Sequence, residues 1–111
     1  MNTKDFYQFY NLEDEDVLLI KNTPDGLLVR IDAHVRMHYM GNGLRGDFDD
    51  HYINDFVFKD VFIDGDIASP IVISSYKYDN ELIFMANNKE IRIKNTDVIL
   101  VKKDWNDKYA L

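Results

Sequence analysis

Leu27-Leu28-Val29-Arg30-Ile31-Asp32-Ala33-His34-Val35-Arg36-Met37-His38-Tyr39-Met40 separates two chemistries by parity: odd positions are apolar, and even positions are mostly charged or imidazole. A period of two over this length is the pattern of a strand with one face on a core and the other in water. Wound into a helix at ~100° per residue, the same apolar positions would scatter around the whole circumference. The stretch is therefore read as a long strand whose odd face builds the core. At roughly 3.3 Å per residue it exceeds most strands, so a bend or bulge is expected within it.

Upstream, Asn22-Thr23-Pro24-Asp25-Gly26 has strong turn chemistry, with Pro fixing φ and Gly accepting a positive φ. The apolar run Val17-Leu18-Leu19-Ile20 should therefore pair antiparallel with the strand from Leu27. Before it come the charge run Glu13-Asp14-Glu15-Asp16 and a short helix over 3–11, capped by Thr3, with Phe6, Phe9 and Tyr10 as one apolar stripe. Downstream, Gly41 to His51 is a glycine- and aspartate-rich connection. Tyr52 to Asp64 carries apolar residues at both parities, which predicts a bulged strand or one covered on both faces.

From Ile71 the chain reads as a meander: Ile71 to Tyr78, Leu82 to Ala86, Ile91 to Lys94 and Val98 to Val101, separated by Asp79-Asn80, Asn87-Asn88 and Asn95-Thr96-Asp97. Asparagine tolerates the left-handed conformation of tight turns. Glu90 to Lys94 and Val98 to Lys103 resemble the closing hairpin of an SH3-like or Sm-like small barrel. That likeness covers under a fifth of the chain and transfers no functional residue. The expectation is a mainly β, single-domain chain over 1–111: a small antiparallel barrel or strongly bent sheet of six to seven strands over 17–103, a short N-terminal helix, and a tail over 104–111.

The 111 residues, 46% of them hydrophobic, are enough for one core without staples. The lack of cysteine excludes disulfides and thiolate metal sites and is compatible with a cytoplasmic location. No apolar run approaches the ~20 residues of a membrane span, and Met1 to Tyr10 lacks the pattern of a secretory signal. Net charge is −7, distributed as −4 over 1–26, +2 over 27–46, −6 over 47–66 and +1 over 67–111. Such a surface disfavours nucleic acid and favours basic partners, and the lack of an apolar span leaves no membrane partner expected.

Familiar chemical frames fail one by one. Gly41-Asn42-Gly43-Leu44-Arg45-Gly46 has the spacing of a dinucleotide loop, yet Asp47, Asp49 and Asp50 would stand where phosphates belong. His34 and His38 have helical metal-ligand spacing, but on a strand they lie ~13 Å apart, too far for one ion. The Asp47-Phe48-Asp49-Asp50 segment lacks the glycine and glutamate of a calcium loop, Tyr52 and Phe58 standing in those places. No serine sits in a nucleophile elbow and no cysteine is present. No cofactor, metal or catalytic residue is assigned, and a non-catalytic role is expected.

What remains is electrostatic. Arg30, His34, Arg36 and His38 form a cationic face interrupted by Asp32, while Glu13 to Asp16 and Asp47 to Asp66 are acidic. Either the acidic segments compensate the stripe internally, or an acidic surface with Phe48 and Tyr52 as aromatic anchors docks a basic partner. The leading expectation is an acidic protein-binding module that inhibits a larger, basic or nucleic-acid-handling protein, in the manner of immunity proteins and phage-encoded antagonists of host defence. Its candidate contacts are Glu13, Asp14, Glu15, Asp16, Asp47, Phe48, Asp49, Asp50 and Tyr52. The Asn-, Ile-, Lys- and Asp-rich usage fits an AT-rich bacterial or phage genome. Alternatives are a self-assembling phage component or homodimeric barrel, and a small barrel binding nucleic acid through Arg30 and Arg36.

Overall fold

A computed structural model describes residues 1–36 and 49–105, and side chains for 1–32 and 53–101. Helix α1 spans Thr3–Phe9, and the strands are β1 Asp16–Thr23, β2 Gly26–Arg36, β3 Asp49–Lys59, β4 Ile73–Tyr78, β5 Glu81–Ala86, β6 Lys89–Lys94 and β7 Val98–Trp105. They form two antiparallel sheets, one ordered β1-β2-β3-β7 and one ordered β4-β5-β6.

From Leu27 to Asp32 the parity of the organising strand is realised; its side chains beyond Asp32 lie outside the described ones. Leu27, Val29 and Ile31 are buried, whereas Leu28, Arg30 and Asp32 are only partly covered. Register carries the alternation outward, because Leu27 faces Phe58, Val29 faces Phe56 and Ile31 faces Asn54. Leu82, Phe84 and Ala86 of β5 and Ile91 and Ile93 of β6 supply the other half of one core cluster. Residues Asn54 to Phe58 are buried at both parities, so this part of β3 is covered on both faces. β2 itself pairs with β3 without interruption; the bulges fall in its neighbours, between Val17 and Leu19 of β1 and where β7 meets Asp55 and Phe56. Met37 to Met40 lie outside the described residues.

The β1–β2 hairpin turns tightly at Pro24-Asp25, with the Thr23 hydroxyl donating to the Gly26 carbonyl at 2.9 Å. Gly26 has φ +148°, and a Cβ there would stand 2.1 Å from the Phe58 carbonyl oxygen. Only glycine fits where β2 starts against β3.

Two expectations fail at the N-terminus. Asn2, not Thr3, caps α1, accepting from the Asp5 amide while the Asp5 carboxylate accepts from the Asn2 amide. Thr3 is buried, its hydroxyl 3.1 Å from the Lys94 carbonyl and accepting from the Thr96 amide at 2.8 Å. Phe9 is 71% exposed. The inward stripe is instead Phe6, Tyr7 and Tyr10: Phe6 packs edge-on against Phe56 and Phe58, each with ring centroids 5.0 Å apart, and Tyr7 meets Tyr76 at a tilt with centroids 4.9 Å apart. The helix thus joins the two sheets.

The predicted closing hairpin is absent, and no closed barrel forms among the described residues. β6 ends the small sheet, while β7 crosses to pair with β3. Asn95-Thr96-Asp97 cannot act as a hairpin turn because its polar groups are committed elsewhere. Thr96 donates from its hydroxyl to the Lys59 carbonyl, the Lys59 amide donates to the Asp97 carbonyl, and the Val98 amide donates to the Met1 carbonyl. Seven strands among the described residues fall within the expected six to seven, and three of the four strands of the expected meander, β4 to β6, pair antiparallel in order, while the fourth, β7, joins the other sheet.

Candidate functional site

Asn11 shapes the acidic entry to β1. Its carboxamide donates to the Asp14 carboxylate at 2.9 Å and accepts from the Glu13 amide at 3.1 Å, folding the charge run back on itself. Leu12 on one side and Val17 on the other are buried and fix the ends of the segment. Opposite runs Ser69 to Ile73, held by the Asn87 side chain. Asn87 Nδ2 donates to the Ala68 carbonyl at 2.8 Å and the Pro70 carbonyl at 3.2 Å, and its Oδ1 accepts from the Val72 amide at 2.7 Å. Asn87 can do this because it occupies the left-handed region, φ 50°, a conformation asparagine tolerates.

Between these walls lies a cleft of about 460 Å³ lined by Glu13, Glu15, Asp16, Leu18, Pro70 and Val72, with Leu12, Val17, Ser69, Ile71 and Ile73 completing it. Its volume is within the ~300–1,000 Å³ range of ligand-binding pockets. One rim is carboxylate and the rest is largely apolar. None of the described residues lining it is cationic.

Electrostatics concentrate here. Asp16 stands directly opposite Asp32 in the β1–β2 ladder. Burial, then the negative charges of Asp14 and Asp32, push the Glu15 carboxyl up from its ordinary 4.5 to about 7. Glu15 Oε2 is fully enclosed and has no hydrogen-bond partner. Burial and the nearby Glu15 charge also raise the Tyr10 phenol, and burial, Tyr7 and Glu15 raise that of Tyr76. The Tyr76 hydroxyl donates to the Tyr10 carbonyl at 2.7 Å, tying β4 to the end of α1.

The cationic face divides. Arg30 forks onto Asp55, Nε to Oδ1 at 2.7 Å and Nη2 to Oδ2 at 2.9 Å, the bidentate geometry that suits guanidinium and carboxylate. In register, His34 faces His51 and Arg36 faces Asp49, so two aspartates of β3, Asp49 and Asp55, stand across from the two strand arginines. His38, Asp47, Phe48 and the Gly41–Gly46 segment lie outside the described residues. Asp49, Asp50 and Tyr52 begin β3, at the same end of the large sheet as Asp16, since Asp32 faces both Asp16 and Ile53.

Several participants carried no signal in the sequence. The wall from Ser69 to Ile73 and its clamp Asn87 became visible only through long-range contacts. Asp55 was one aspartate among many, and Asn54 has a buried Oδ1 lacking a hydrogen-bond partner. No cluster of three or more metal-ligating side chains occurs among the described residues, and none of their helices is long and apolar enough to cross a membrane. Compared with protein-family models, curated proteins and solved structures, the chain matches none.

Proposed function

We propose that the chain is a non-catalytic protein-binding module whose cleft between the start of β1 and the Ser69–Ile73 segment receives a basic segment of a larger protein, which it inhibits. One observation carries this reading: three carboxylates, Glu13, Glu15 and Asp16, share one cleft with the apolar side chains of Leu18, Pro70 and Val72. Apolar contact supplies affinity, while the acidic rim and the −7 net charge supply steering and selectivity for basic partners. Affinity purification from the native host, with wild type beside the Glu13→Lys/Asp16→Lys double variant, tests it. A partner recovered by wild type and lost by the folded variant is the expected result. A partner retained by the variant would remove the cleft from the interface, and recovery of none would count against inhibition.

A second reading, self-association, draws support from β7. It is an edge strand with Ile99 and Leu100 each 45% and Val101 59% exposed, and an unpaired apolar edge is a template for strand addition. Light scattering across micromolar concentrations tests it. A monomer throughout removes this reading; a dimer abolished by Val101→Lys supports it.

A further inference from the structure

Beyond Asp32 the large sheet narrows. β1 pairs with β2 only as far as Asp16 opposite Asp32, and β7 pairs with β3 only as far as Trp105 opposite Tyr52. β2 and β3 continue without a bulge through His34 opposite His51 to Arg36 opposite Asp49, so this end of the ladder is two-stranded among the described residues. Side chains there lie outside the described ones, and register alone places these residues. Directly opposed residues of an antiparallel pair share a face, with Cβ atoms about 4.5–5.5 Å apart. Unbroken parity puts His34 and His51 on the face of the sheet away from Leu27, Val29 and Ile31. Asp49, two residues before His51, holds the same face about 7 Å along β3.

We propose that His34, His51 and Asp49 bind a zinc ion across the β2–β3 pair. Spacing along β2 keeps His34 and His38 too far apart to share an ion, but pairing supplies His34 with a second imidazole from the next strand. Tetrahedral zinc holds two imidazole nitrogens roughly 3.3 Å apart, a separation that rings can close from opposed positions on neighbouring strands. Two imidazoles and a carboxylate are donors that zinc accepts, with the fourth position left to water. Magnesium and calcium require oxygen ligands, which this set does not supply.

Two neighbours in the ladder bear on the ion. Arg36 stands opposite Asp49, so the metal competes with a guanidinium for that carboxylate. Asp32, two residues before His34, has an interaction of its own and is not counted as a ligand. The site lies apart from the cleft and is independent of the partner reading. Bound there, zinc fastens β2 to β3 where neither strand pairs with a third among the described residues.

The test titrates zinc chloride into the full chain at pH 7.5, with calorimetry for affinity and NMR for place, and magnesium chloride as the comparison. One zinc should bind per chain, shifting the ring signals of His34 and His51 and slowing amide exchange at Ala33 to Arg36 and Asp49 to Tyr52; magnesium should do neither. Loss of an outer-shell partner commonly weakens a metal site by about 10–100-fold, so His34→Gln and His51→Gln, each removing a ligand, should weaken zinc at least 10-fold. Asp49→Asn should also weaken it, Arg36→Gln should tighten it, and His38→Gln should leave it unchanged. Unshifted core resonances would show that each variant is folded. Equal zinc affinity in wild type, His34→Gln and His51→Gln would overturn the site and leave adventitious binding to surface carboxylates. A loss in His38→Gln as large as in His34→Gln would overturn this ligand set, and unchanged affinity in Asp49→Asn would remove the carboxylate from it. No binding by wild type would overturn the proposal outright.

Discussion

Replacing Arg30 with methionine keeps the aliphatic stem and removes the fork, leaving Asp55 with a side chain only 7% exposed and without those two charge-assisted hydrogen bonds. Removing one member of a buried ion pair costs about 3–5 kcal/mol. The Arg30 side chain is 38% exposed, so water reaches that end of the pair and the expected cost falls to roughly 2–3 kcal/mol. Asp55→Asn preserves shape and strands a charge that can still turn to solvent, at about 1–2 kcal/mol. Arg30→Met/Asp55→Leu removes the fork together with its carboxylate and should cost less than Arg30→Met alone, because no carboxylate is then left buried without its guanidinium. Urea unfolding at pH 7 reads all three. With a slope of about 1–3 kcal/mol per molar for a small protein, the single Arg30 variant should lose on the order of 1 M in midpoint at unchanged slope. A Arg30→Met protein within about 0.5 kcal/mol of wild type would refute the burial argument, and the arginine would then be available for an external anion.

Three further substitutions probe other parts of the fold. Gly26→Ala places a methyl 2.1 Å from the Phe58 carbonyl at a positive φ, and should cost about 3 kcal/mol or more in thermal unfolding; a loss under about 1 kcal/mol would mean that β2 and β3 separate easily there. Asn54→Val removes an enclosed, unpartnered carboxamide oxygen from the inner face of β3 and should raise stability by about 1 kcal/mol, with destabilisation pointing to a water or ligand on that oxygen. For Glu15, a folded-state pKa of about 7 above the ordinary 4.5 means that the native state holds the proton longer. Its contribution is therefore fully present below pH 4.5 and is lost as pH rises towards 7. The loss is about 1–2 kcal/mol after discounting for contact with solvent. Glu15→Gln should flatten that decline in chemical unfolding between pH 5 and 8, and an unchanged slope would place the carboxyl in water.

What the sequence could reveal was whatever depends on neighbours in the chain. The alternation from Leu27 to Ile31 and the Pro24-Asp25-Gly26 turn specify a strand pair almost by themselves, because one residue of slip would carry the apolar set to the wrong face. The Asn95-Thr96-Asp97 turn had equally good local chemistry and was overruled. Thr3, Met1 and Lys59 claim its backbone and hydroxyl groups from more than 30 residues away, and no periodicity encodes such partners. Phe9 failed for a related reason: spacing of three or four identifies a stripe, but Tyr7 and Tyr10 compete for the same face and win through rings on β3 and β4. Composition exposed the acidic run before β1. That Glu15 alone turns inward depends on Leu12 being buried and on a wall 55 residues downstream, fixed by Asn87.

Charge decides between the two readings of the surface. Each copy carries −7, so two copies meeting along β7 work against mutual repulsion, whereas a basic segment approaching Glu13 and Asp16 is drawn in. The apolar exposure of Ile99 to Val101 is followed at once by Lys102 and Lys103, the kind of charge that natural edge strands use to discourage pairing. Added salt must then move the two associations in opposite directions, strengthening contact between copies and weakening capture of a cation at the rim of the cleft. On the reading proposed above, the acidity that opposes contact between β7 edges at low salt is also what would make the cleft selective for a basic segment.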